Sequence, residues 1–160
     1  MEAKRILLVM KNKPGVLNKI SGLFQKRGIN IENITAGEGH PEDTVRMTIT
    51  GFWDDYTLNQ VIVQAEKLFD VEFIKSFSKE SVLRELVLVK VKVDSKSRQE
   101  LLQILDIYRG SVVDVALESL IIEITGDIGK IDGFLKLVRN FNILEIARTG
   151  VSAMTRGLEV

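Results

Sequence analysis

The stretch RILLVMKNKPGVLNKISGLF, residues 5 to 24, changes its hydrophobic period halfway along, and that change decides the fold. Ile6 to Met10 form an unbroken apolar run of strand type, whereas Val16, Ile20, Leu23 and Phe24 recur at helical spacing. Between them, Pro14 fixes its own φ and lacks an N–H, while Gly15 permits close backbone approach. The pair therefore marks a handover from strand to helix. The first N–H groups of a helix have no intrahelical acceptor, and the helix dipole adds partial positive charge there, so the loop Asn12 to Leu17 suits a small carboxylate. On the dipeptide alone a plain turn, with Asn12 closing it and no ligand, is the commoner explanation.

Outward from this stretch the same two periods alternate. Strands are predicted at about 4–11, 30–37, 44–51 and 70–77, with helices at about 15–27 and 55–68. Val45, Met47 and Ile49 alternate as in a half-buried strand, and Leu58, Val61, Ile62, Ala65 and Leu68 line one helical stripe. The order is β-α-β-β-α-β. The second half repeats it, with strands at Leu86 to Val93, Val112 to Leu117, Leu120 to Thr125 and Ile143 to Thr149, and helices at Arg98 to Tyr108 and around Ile131 to Val138. The expected class is therefore α+β, two tandem ferredoxin-like modules of residues 1–78 and 79–160, joined near Ser78 to Ser81. Right-handed crossovers place both helices of a module on one face of its sheet and leave the other face open. Small modules need extra burial, so a second copy of the chain is expected on that face or at a sheet edge, as a homodimer.

Composition narrows the function. Lys and Arg number 22 and Asp and Glu number 22, so no net field draws the chain to nucleic acid or to an anionic membrane. There is no cysteine and a single histidine, His40, which leaves no thiolate metal site and no histidine cluster. No apolar segment approaches the ~20 residues of a spanning helix, and the apolar run after Arg5 is too short for a signal peptide. A soluble, cytoplasmic protein is expected.

No catalytic constellation stands out. Ser21 falls on a predicted helix and Ser97 at the edge of another, without a histidine nearby in sequence. The loop Gly37 to Asp43 offers His40, Glu42 and Asp43, which read best as a solvated hairpin tip rather than a metal or acid–base site. Gly126-Asp127-Ile128-Gly129 and Arg109-Gly110 lack the spacing of phosphate-binding loops and read as turns and caps. RNA-recognition modules share the element order, but the central strands Ile6 to Met10 and Val45 to Ile49 carry no aromatic residue on which to stack a base. Asn30, after the stop signal at Gly28, is different: its amide both donates and accepts, so Asn12, Asn30 and the N–H groups of Gly15 and Val16 together could meet both ends of an amino acid.

Asn-x-Pro-Gly-Val-Leu at 12–17, the run Gly22 to Glu32 and Arg46-Met47-Thr48-Ile49 resemble the ACT domain of the small, regulatory subunit of acetolactate synthase. Arg84 to Val91, Tyr108-Arg109-Gly110, Val113-Asp114-Val115, Ala147 to Val151 and Arg156-Gly157 resemble the same family's C-terminal domain. The resemblance implies a non-catalytic homodimeric protein that binds the large catalytic subunit, raises its activity and confers feedback inhibition by valine or a related branched-chain amino acid. It further implies that thiamine diphosphate, Mg and FAD belong to the catalytic subunit and that this chain holds no cofactor. It assigns the effector site to Asn12, Gly15 and Val16 of one subunit with Asn30 and Ile31 of its neighbour. The chain closes soon after Arg156-Gly157, so any further C-terminal contact of longer members is expected to differ. A stand-alone amino-acid-sensing ACT protein that regulates another enzyme is the alternative.

Overall fold

A computed structural model describes residues 3–78 and 80–158. By internal contacts the chain divides into two units, Met1–Val82 with Val151–Val160, and Leu83–Gly150.

The first unit runs β1 (Lys4–Lys11), α1 (Val16–Gln25), β2 (Asn33–Glu38), β3 (Thr44–Gly51), α2 (Asp55–Ala65) and β4 (Val71–Ser76). Its strands form an antiparallel sheet in the order β2-β3-β1-β4. Alternation puts Ile6, Leu8, Met10, Met47 and Ile49 on the face that meets Ile20, Leu23 and Phe24 of α1 and Leu58, Val61 and Ala65 of α2. Trp53 completes this core beside Phe24, with ring centroids 5.5 Å apart. Its indole occupies the space that a side chain at Gly51 would need. The sequence expectation ran α1 on to residue 27, whereas the helix closes earlier. The Gly28 N–H donates to Gln25 O (3.0 Å) and the Ile29 N–H to Phe24 O (3.1 Å), with Gly28 at φ 63°, a Schellman ending that spends the last helical carbonyls.

The second unit repeats the order with β5 (Val82–Lys92), α3 (Ser95–Tyr108), β6 (Ser111–Val115), β7 (Ser119–Gly126), α4 (Ile128–Val138) and β8 (Asn142–Arg148). Its strands lie β6-β7-β5-β8. Val87, Val89 and Val91 pack with Leu120, Ile122 and Ile124 against Leu101 and Leu105 of α3 and Ile131, Phe134 and Val138 of α4. At its rim, buried Glu85 accepts two hydrogen bonds from Arg148, which also reaches Asp132 at 3.0 Å. The expected α+β architecture of two β-α-β-β-α-β modules is thus present.

One element was not anticipated. A short strand β9 (Ser152–Met154) follows the second module, and by contacts its segment groups with the first unit. Ala153 is the reason: its N–H donates to Thr48 Oγ1 (3.3 Å), and its carbonyl accepts from Arg46 Nη2 (2.6 Å). Val151, Ala153, Thr48 and its register partner Leu7 are all buried. Part of the sheet face expected to stand open is therefore covered by the chain itself.

Candidate functional site

The loop between β1 and α1 is held at both sides by backbone. The Lys11 N–H donates to Asp70 O (2.9 Å) and the Asn12 N–H to Asp43 O (2.7 Å). Gly15 then turns the chain at φ 83°, in a left-handed conformation that glycine adopts without strain, and nothing stands within 4 Å of where its side chain would be. Val16 N–H makes a tight-turn bond to Lys13 O (3.3 Å), and the first full helical bond runs from Lys19 N–H to Gly15 O (3.1 Å). No side chain caps this helix start.

The other three helices differ. Asp54 accepts from Thr57 N–H (2.7 Å), Asp127 from Lys130 N–H (2.8 Å), and Asp94 from Ser97 N–H (2.8 Å), with Ser97 Oγ accepting in return from Asp94 N–H (2.8 Å). Each has its carboxylate built in. Only α1 starts without one.

The surroundings favour an anion. Lys11 and Lys13 extend their ammonium groups over the exposed Phe69 ring, 5.5 and 5.9 Å from its centroid. Lys13 Nζ also donates to the buried Asp70 carboxylate at 3.1 Å, and Lys19 Nζ donates to its other oxygen. The Lys19 hydrogen bond, and after it that of Lys13, hold the Asp70 carboxyl below the usual carboxylate range. Sequence reasoning missed Asp70, because nothing local marks an aspartate in a turn as the anchor of two lysines some fifty residues away.

Asn12, Gly15 and Val16 meet in this loop, with Val16 half-buried against the core as an apolar wall. Asn30 and Ile31 do not join them. Lys11 pairs with Thr44 at one end of the sheet and Lys4 with Gly51 at the other, while the Glu32 N–H donates to Thr50 O near the second end. Seven strand steps of ~3.4 Å separate the two ends, about 24 Å. Within one chain the two groups are apart, which suits the sequence assignment only if a neighbour supplies the second pair. Asn30 also lies before β2 rather than opening it. Its carbonyl accepts from Trp53 Nε1 (2.9 Å), and its amide donates to Glu32 Oε1 (3.0 Å).

The remaining candidates have structural duties. Ser97 belongs to the helix cap, and Ser21 Oγ donates to Asn18 O (3.1 Å). His40 is exposed on the β2–β3 hairpin, and among the described residues no group of three or more metal-ligating side chains assembles. At the corresponding end of the second unit a cavity of about 750 Å³ has walls of mixed sign, including Lys92, Asp94, Glu100 and Glu118. No helix among the described residues is long and apolar enough to cross a membrane.

Comparison with known proteins covers both units. The family described as AHAS small subunit-like ACT domain matches residues 6–73, and that described as small subunit of acetolactate synthase matches residues 84–157. The chain is 48% identical to a probable acetolactate synthase small subunit of Methanothermobacter thermautotrophicus, over 95% of this chain and 92% of that one. It is 38% identical to the acetolactate synthase small subunit of Mycobacterium bovis, over 94% of this chain and 90% of that one. The crystal structure of an acetolactate synthase small subunit from Thermotoga maritima superposes with a TM-score of 0.93 at 38% identity, covering 98% of this chain and 99% of that one.

Proposed function

The chain belongs to the family of acetolactate synthase small subunits, and we propose from that premise that it is the non-catalytic regulatory subunit of the enzyme. In this reading it binds the large, thiamine-diphosphate-dependent subunit in the cytoplasm, raises its activity and makes it sensitive to valine or a related branched-chain amino acid. Thiamine diphosphate, Mg and FAD then belong to the large subunit. End-to-end similarity to small subunits is the observation that carries the proposal.

The geometry supplies a physical route. The uncapped start of α1 offers N–H groups and a positive dipole end to the effector carboxylate, the Asn12 amide offers an acceptor to its ammonium, and Val16 offers an apolar wall. Asn30 and Ile31 lie toward the opposite end of the same sheet, so they take part only through a second copy. A homodimer follows, with each effector bridging two subunits. Such a ligand favours the quaternary arrangement that it contacts better, and that preference is the regulatory signal.

The test is reconstitution. Mixed with the large subunit, this protein should raise the rate of acetolactate formation, and valine should lower it again. If activity neither rises nor becomes valine-sensitive, the regulatory reading fails. Asn12→Ala, which removes an exposed side chain, should weaken valine feedback by ~1–3 kcal/mol while leaving activation in place, the range for a lost hydrogen bond to a charged group. Unchanged inhibition would remove Asn12 from the site.

A further inference from the structure

A cleft of about 480 Å³ lies between α1 and α2, on the outer side of the first unit's helices. Its walls carry four cations, Lys19, Lys26 and Arg27 from α1 and its end and Lys67 from the turn after α2, and no carboxylate. The amides of Asn18 and Gln64 add neutral donors. We propose that this cleft binds a compact anion carrying two or more clustered phosphates.

The charge pattern is the first argument. Over the whole chain 22 cationic and 22 anionic side chains balance, so four cations facing one cleft are a local segregation. Lys4 by contrast is paired with Asp55 (2.8 Å) and Arg148 with Glu85 and Asp132, while Arg98 and Lys130 spend their charge on backbone carbonyls. Lys26, Arg27 and Lys67 form no ion pair among the described residues; the Arg27 guanidinium makes only a long bond to Leu23 O, at 3.4 Å. Like charges held close repel, and a multivalent anion relieves all of them at once where a single carboxylate relieves one.

Shape and chemistry narrow the class. The volume falls within the ~300–1,000 Å³ of small-molecule sites. Leu23 and Leu68 give the cleft a small apolar floor, but no aromatic ring lines it, so it offers no platform for a stacked base. Phosphate oxygens are what its donors match.

One of the four cations is shared with a carboxylate outside the lining. Lys19 is bound to Asp70 Oδ2, and the same carboxylate takes Lys13 of the β1–α1 loop on its other oxygen. An incoming polyphosphate must share Lys19 with Asp70. Removing the Asp70 charge should therefore improve binding, an effect opposite in sign to that of any substitution that merely damages the fold.

Isothermal titration of the full-length protein with inorganic tripolyphosphate at low salt tests the site. One saturable event per chain is expected, at least about tenfold weaker in the Lys26→Gln/Lys67→Gln double variant. Both replaced side chains are exposed, so its melting curve should match the parent's. Asp70→Asn, checked for native circular dichroism, should bind more tightly. Absence of saturable binding, equal affinity in the double variant, or weaker binding by folded Asp70→Asn would each overturn the proposal. So would a polyglutamate peptide that binds as tightly as tripolyphosphate. A nucleoside triphosphate binding more than about tenfold tighter than tripolyphosphate would overturn the reading that phosphates alone are recognised.

Discussion

Helices α1 and α3 open the two modules in the same way, each following its module's first strand, yet their ends are built from opposite chemistry. At its start α3 satisfies its own N–H groups through the reciprocal pair Asp94 and Ser97, whereas α1 begins on Gly15 with no side chain over its N–H groups. At its far end α1 stops on Gly28, which has open space beside it, whereas α3 turns at Arg109 (φ 50°) and passes Gly110 tightly against Ile124 and Leu105. A helix sealed at its start and packed at its end is fixed scaffold. One open at its start leaves N–H groups free for a ligand, which is the duty proposed for α1.

That contrast can be broken deliberately. Gly15→Asp puts a negative charge at the start of α1, where the N–H groups are proposed to take the effector carboxylate, on a left-handed backbone (φ 83°) that strains any side chain. Valine sensitivity of the reconstituted enzyme should drop by about a hundredfold or more, with activation retained. Undiminished feedback would place the effector elsewhere.

Gly110→Ala attacks the packed end of α3. A side-chain carbon there would stand 2.3 Å from Ile124 Cδ1, 2.6 Å from Leu105 Cδ2 and 3.2 Å from Glu123 O, so overpacking should cost about 1–3 kcal/mol in a denaturant titration. Asp127→Ala unseals α4, and a loss of about 1 kcal/mol is expected from the same measurement, without change in the valine response. A changed response would mean that sealed helices take part in signalling.

The smallest effect is in acid. The Ser97 N–H and hydroxyl hold the Asp94 carboxyl below its ordinary value, and Lys19 and then Lys13 do the same for Asp70. Each folded pKa lies under the unfolded value of ~3.9, so each carboxylate contributes stability above that pH and loses it as pH falls through the folded value. Thermal melts should therefore show Asp70→Asn less stable than the parent at neutral pH, with the gap closing below about pH 4. A gap that stays constant in acid would mean that the lysines do not stabilise the ionised form.

How much of this was legible in sequence depends on range. The apolar run Ile6 to Met10, the helical stripe from Val16 and the alternation at Val45, Met47 and Ile49 are local patterns, and each became the expected element. The turn that carries Asn12, Gly15 and Val16 was readable because Pro14-Gly15 punctuates the chain where the period changes. The strand after Gly28 was started too early, at Asn30, whose carbonyl is claimed by Trp53, twenty-three positions away, and no local pattern announces that bond. Asp70 and β9 were invisible for the same reason. Each derives its role from partners far along the chain, and three residues of mixed polarity at 152–154 carry no periodicity to detect.

Ala153 makes hydrogen bonds to Thr48 and Arg46 across 105 and 107 residues of sequence. Closing so long a loop is an entropic toll on the folding route, and it ties completion of the first sheet's outer face to the arrival of a segment beyond the entire second module. The first unit can thus collapse early around its helices yet complete this face only late, once the chain beyond the second module arrives.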